Sequence, residues 1–132
     1  MATMLHLNDF QKQDRLVYSF KYSINQPTDE EGQLTGSPLG GMLTVKVKSL
    51  SDNNAELFNW MVKHAMAADG SIKFDKDNGE SGEQRVIEFK NAFCVGYTEG
   101  YEKSGTDAHY EEVVLSCRTI KIGTIEYTHD WA

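Results

Sequence analysis

The chain has 132 residues, and 13 Lys and Arg against 20 Asp and Glu leave a formal net charge of -7. One domain of this size buries about two-thirds of the surface its unfolded chain would expose, so it can build a core without disulfides or metal, and 39% hydrophobic residues argue against intrinsic disorder. The acidic balance, with no cluster of Lys and Arg, argues against nucleic-acid binding and docking on anionic lipid; the short apolar runs leave nothing to insert in a membrane.

In chain order, the opening MATMLHLNDF lacks the basic, apolar and cleavage-site regions of a signal peptide, so the expected site of synthesis is the cytoplasm. Thr3 to Leu7 reads as a short strand and Asn8 to Asp14 as its turn. From Leu16 to Ile24, Leu16, Tyr18, Phe20, Tyr22 and Ile24 share one parity while Arg15, Ser19, Lys21 and Ser23 share the other, the period of a half-buried strand. Leu43, Val45 and Val47 alternate with Thr44, Lys46 and Lys48 in the same way.

From Ala55 to Ala65 the period changes. Leu57, Phe58, Met61, Val62 and Ala65 gather on one helical face, with Ser51, Asp52 or Asn53 as the expected cap and Gly70 closing the turn beyond. Strands are then expected around Ile72 and Phe74, from Arg85 to Tyr101 with a bend near Gly96, from Tyr110 to Cys117 with Val113, Leu115 and Cys117 inward, and from Ile120 to Tyr127 with a bulge at Gly123. The sum is a mainly β architecture, a barrel or sandwich of about seven strands with one flanking helix.

Two irregular stretches interrupt the strands. Asn25 to Gly41 holds both prolines and several glycines, and at about 17 residues it exceeds the usual connection, which marks it as functional or disordered. Pro27 and Pro38 lower the entropy lost on ordering, which favours an extended arm set against a partner. Asp75 to Glu83 reads as a solvated hairpin tip.

A search for chemistry finds none. His6, His64, His109 and His129 sit in no HxH, HExxH or Cys/His array. There is no GxSxG elbow, Walker loop or GxGxxG, and the Asp75/Asp77/Gly79 run lacks the glycine and glutamate positions of a calcium loop. Glu30-Glu31 and Glu111-Glu112 read as solvated charge. Cys94 and Cys117, without metal-ligand spacing, read as reduced core thiols. No catalytic residue, metal or cofactor is expected. Open sheet edges, a long arm and no active site point to a subunit whose function is assembly; a barrel this small fills its own interior, so any passage must be built from several copies.

One resemblance gathers these features. Tyr18-Ser-Phe, Gln26-Pro-Thr-Asp29, Gly32, Gly36, Pro38 and Gly40-Gly41, then Leu43-Thr-Val and Glu56-Leu-Phe-Asn-Trp-Met61, are followed by Gly70-Ser-Ile-Lys-Phe74, Ile87-Glu-Phe-Lys-Asn-Ala-Phe-Cys-Val95, Ile120-Lys-Ile-Gly123 and Trp131. In this combination and spacing the chain resembles the TssD form of Hcp, the type VI secretion tube protein of Bacteroidetes, over its whole length. The resemblance implies one Hcp-like tube domain over residues 1–132, a compact antiparallel β-barrel with a flanking helix, similar to phage tail-tube proteins. It implies homo-hexameric rings stacked into a tube inside a contractile sheath, with spike, baseplate and effector partners, assembled in the cytoplasm and secreted through the type VI apparatus.

The resemblance also assigns the ring and stacking contact to the arm at 25–41, through Gln26, Pro27, Thr28, Asp29, Gly32, Leu34, Gly36, Pro38, Leu39, Gly40 and Gly41. The family's arm often carries arginines between its glycines; here Gln33-Leu34-Thr35 and Ser37-Pro38-Leu39 stand instead, so Leu34 and Leu39 would supply apolar contact. Asp29-Glu30-Glu31 would need a basic partner such as Lys46, Lys48 or Arg85 on a neighbour. Alternative readings are an effector carrier, a phage-type tail-tube protein, and a monomeric ligand-binding barrel whose cavity Tyr18, Tyr22, Tyr97 and Tyr101 would line.

Overall fold

The computed structural model describes residues 3–8, 14–36, 39–50, 55–74, 85–103 and 109–128. It contains β1 (Met4–Leu7), β2 (Arg15–Asn25), β3 (Leu39–Lys48), α1 (Glu56–Val62), β4 (Ala67–Phe74), β5 (Arg85–Tyr101), β6 (His109–Ile122) and β7 (Ile125–Thr128). The seven strands lie in the order β3-β2-β1-β4-β5-β6-β7, all neighbours antiparallel, and β3 pairs again with β6. That second pairing closes the sheet on itself, the expected barrel with one helix against it.

Period-two patterning explains the closure. Leu43, Val45 and Val47 are fully buried, and Leu43 and Val45 stand directly opposite the equally buried Leu115 and Val113. Such cross-strand pairs favour one register, because a slip of one residue would turn the apolar set to solvent. Leu5 and Leu7 of β1, Ile72 of β4, and Ile87, Phe89, Ala92 and Cys94 of β5 complete the interior, with Leu57 and Trp60 from α1.

Several expectations required correction, because local irregularities change which side chains face inward. In β2 the register against β3 shifts between Val17 and Ser19. Arg15 and Val17 are therefore buried before the shift, while Phe20 and Tyr22 pack on the core after it; Arg15, expected on the polar face, is 2% exposed. β6 runs unbroken through Arg118, where two strands were expected, because Thr119 and Ile120 are buried in succession and the change of parity imitates a strand end. Across from that point Asn91 in β5 has φ 50° and donates its N–H to the Asp69 carboxylate at 2.9 Å, so both strands turn together. Gly123 sits in the two-residue turn between β6 and β7 with φ 62°, the sign that matches strand twist in tight hairpins. The bend near Gly96 is a register shift between Cys94 and Gly96.

The helix is shorter and rotated from its expected face. Leu57 and Trp60 are buried, whereas Phe58 and Val62 are 50% and 60% exposed. Trp60 defines the inward face and donates its indole N–H to the Met66 carbonyl at 2.8 Å. The N-cap position is Ala55, with φ 47° and no side-chain cap; the expected caps Ser51, Asp52 and Asn53 lie outside the described residues. Gly70 lies inside β4, opposite Leu7, rather than in the turn after the helix.

Beneath α1 sits a buried polar cluster. Arg15 donates to a Glu111 carboxylate oxygen at 2.9 Å and to the Lys48 carbonyl at 3.2 Å, and lies 3.9 Å from Glu56. Tyr97 donates its hydroxyl to the other Glu111 oxygen at 2.8 Å. Glu56 and Glu111 are 6% and 5% exposed, so Glu111 is not the solvated charge its sequence neighbourhood suggested. Removing one partner from a buried pair strands the other charge, at a cost of about 3–5 kcal/mol. Glu111→Ala should therefore lower the unfolding free energy read from urea denaturation by that amount, while Leu34→Asp on the exposed arm should stay within about 0.5 kcal/mol of the parent.

Cys94 and Cys117 are free and buried, as expected. Burial pushes the Cys94 thiol from 9.0 up to about 11 and Cys117 up to about 12, and burial, reinforced by the Glu111 carboxylate, pushes the Tyr97 hydroxyl above its ordinary value. Each folded-state value lies above the unfolded one, so these groups leave stability intact below about pH 9 and cost it as pH rises and the unfolded thiols ionise first. Urea midpoints should fall between pH 9 and 12, and Cys94→Ala with Cys117→Ala should flatten that decline; an unchanged slope would contradict the assignment.

Candidate assembly surface

Residues 26–36, in the long connection between β2 and β3, form a hairpin. Thr28 bridges Leu34, the Thr35 N–H donates to the Pro27 carbonyl at 2.9 Å, and the Asp29 N–H donates to the Gln33 carbonyl at 2.9 Å. At its tip the Asp29 carboxylate accepts from the Glu31 and Gln33 N–H groups, both at 2.9 Å, an Asx-type turn. Gly32 completes the turn at φ 84°, a conformation that glycine adopts without penalty.

Of the residues assigned to the contact arm, Gln26, Pro27, Thr28, Asp29, Gly32, Leu34 and Gly36 lie in this hairpin, all exposed, with Leu34 67% so. Pro38 lies outside the described residues. Asn25 ends β2 and pairs with Leu39, so Leu39, Gly40 and Gly41 belong to the start of β3. Gly41 is buried at φ 91°, and a Cβ there would meet the Cys117 carbonyl oxygen at 2.6 Å. Its lack of a side chain is what lets β3 approach β6.

The sequence did not place the other exposed apolar side chains at the surface. Val62 stands on the outer face of α1 and the half-exposed Phe58 packs edge-on against Tyr97, ring centroids 5.6 Å apart; Met42 and Val95 lie on the barrel, and Ile125, 79% exposed, on β7. Val95 is displaced by the register shift beside it, a signal that only pairing reveals. Two strand edges are also open among the described residues. β1 pairs with no more of β2 than Arg15 and Leu16, and β4 reaches along β5 only to Phe93. Unpaired N–H and C=O groups along such edges are templates for another chain.

Tyr22, Tyr97 and Tyr101 do not converge on a shared ligand cavity. Tyr22 packs on the core, Tyr97 is committed to Glu111, and Tyr101 is 69% exposed. Nor do the described histidines converge: His6 meets Asp14 at 2.7 Å and His109 meets Glu99 at 2.6 Å, on separate surfaces; His129 lies outside the described residues. The family model for hemolysin coregulated protein Hcp, TssD, matches residues 1–132. The chain belongs to the Hcp family.

Among solved structures, Hcp1 from Flavobacterium johnsoniae is 28% identical, covers 98% of this chain and 100% of its own, and superposes with a TM-score of 0.84. Hcp1 from the E. coli EAEC 042 pathovar, in mutant form, shares 18% identity over 100% of this chain and 99% of its own, with a TM-score of 0.72. Hcp1 from Salmonella typhimurium shares 20% identity over 96% of this chain and 93% of its own, with a TM-score of 0.65. No curated protein sequence matches this chain. As an Hcp, the protein is a type VI secretion tube protein, of a family that assembles into rings.

The hairpin geometry gives a local test. Asp29→Ala removes the acceptor for two backbone donors, so amide exchange at Glu31 and Gln33 should accelerate roughly tenfold, the scale of about 1.4 kcal/mol of lost local protection, while core amides such as Val45 keep their rates. Equal rates at the tip before and after substitution would show that the carboxylate does not hold the turn.

Proposed function

We propose that this Hcp is a single tube domain over residues 1–132 that forms hexameric rings, that the rings stack into an inner tube, and that the arm at 25–41 is the contact between copies. The observation that supports this most is the hydrogen-bonded, exposed hairpin projecting from a barrel whose own interior is packed with side chains. One copy encloses nothing; six can surround a channel. The role is structural, without catalytic, metal or cofactor chemistry. The tube assembles in the cytoplasm within a contractile sheath, on a baseplate and beneath a spike, and is expelled through the type VI apparatus with small effectors in its lumen.

Charge and apolar contact oppose each other in the stack. Six copies at -7 each carry about -42, so rings repel at low ionic strength. Light scattering should return about 90 kDa, six times 14.9 kDa, and electron microscopy a ring of six. Stacks should lengthen as salt is raised and disappear in Leu34→Asp combined with Leu39→Asp. A monomer at micromolar concentration would refute the assembly reading, and unchanged stacking in the double variant would remove the arm from it.

A further inference from the structure

The end of α1 stands over a cleft of about 570 Å³ on the outer side of β5 and β6, walled by Trp60, Met61, Met66, Phe93 and Val95, with Lys63 and His64 among its lining. Val95 is 47% exposed, and Met42, opposite Ser116 of the cleft, is equally so, which extends the apolar surface onto β3. Among the described residues no acidic side chain lines it, and its charged or titratable groups are Lys63, His64 and the buried Cys94. In a protein of net charge -7, such an apolar cleft with a basic border is suited to an acidic segment with an apolar anchor.

The chain carries one such segment on its exposed surface. From Asn25 to Gly36 the arm has Asp29, Glu30 and Glu31 and no Lys, Arg or His. Asp29 is committed to the turn, which leaves Glu30 and Glu31 exposed at the tip and Leu34, 67% exposed, on the returning strand. We propose that the cleft beside α1 is the socket for the arm of a second copy of this chain, with Leu34 seated against Phe93 and Val95 and Glu30 and Glu31 paired with Lys63 and His64. This rests on the assembly reading above and names the surface that receives the arm.

The arm's own barrel does not offer it this socket. Asn25 pairs with Leu39, so the arm continues the β2–β3 ribbon away from the barrel, whereas Ser116 lies beside Met42, back within β3. The bonded hairpin projects roughly 17–20 Å at strand spacing, enough to cross to a neighbour. Arm into cleft is a heterologous contact, one patch of each copy on a different patch of the next, and it closes a ring when the rotation per copy divides the circle. It also gives the acidic tip a basic partner other than Lys46, whose ammonium lies 4.3 Å over the Tyr110 ring.

Crosslinking and charge exchange test the socket in the full chain. Leu34→Cys chains mixed with Val95→Cys chains and a short bismaleimide should give a covalent dimer absent from either alone, and the doubly substituted chain a ladder ending at the ring. Lys63→Glu should abolish the dimer, and Lys63→Glu with Glu31→Lys should restore it. If wild-type rings form but neither the crosslink nor the charge-exchange rescue appears, the socket is wrong and the tube reading stands; if the wild type forms no rings, both fall.

Discussion

Arg15, 2% exposed, reaches Glu111 at 2.9 Å, the Lys48 carbonyl at 3.2 Å and Glu56 at 3.9 Å, and thereby ties β2 to β6, β3 and α1 at one point. Tyr97 adds β5 through the second Glu111 oxygen. Burying a guanidinium is costly unless its partners are in place, so the cluster penalises any arrangement in which helix and strands are not docked together. β1 meets β2 and β4 over short pairings, and β2 is joined on this side through its first residues, Arg15 and Leu16 in the ladder and the Val17 N–H donating to the Thr3 carbonyl at 2.8 Å. The charged cluster and the β3–β6 ladder, which runs from Met42 to Lys48, hold together the side of the barrel that β1 holds weakly.

Around that point, irregularities shape the barrel. Register shifts beside Tyr18, Asp69 and Val95 let strands of 11 to 17 residues bend while apolar side chains stay inward. The same shifts decide what remains outside. Val95 is turned to solvent beside the buried Cys94, and the long halves of β2 and β5 outrun their short partners and leave edges unpaired among the described residues. The features that close the core thus also leave apolar side chains and strand edges at the surface.

The arm follows the same economy of means. Its tip is held by one carboxylate and one glycine with positive φ, so the acidic side chains and Leu34 are presented on a fixed frame. At its base the glycine at position 41 serves packing, since a Cβ would strike the Cys117 carbonyl. The glycines of one sequence segment therefore do different things, and their spacing alone does not separate them.

What the sequence determined by itself is the periodic part: the strands with Leu43, Val45 and Val47 or Val113, Leu115 and Cys117 inward, the single helix, the unusual arm, and the family. Period-two burial is local, because adjacent side chains on a strand point to opposite faces whatever lies beyond. The tertiary structure decided everything that depends on a partner strand. Arg15 and Glu111 look solvated until they are found facing each other across the barrel, the inward face of α1 is set by what Trp60 can reach, and the parity of β2 reverses where its register against β3 shifts. Those choices rest on contacts between residues far apart in the chain, and no window of sequence contains both sides of them.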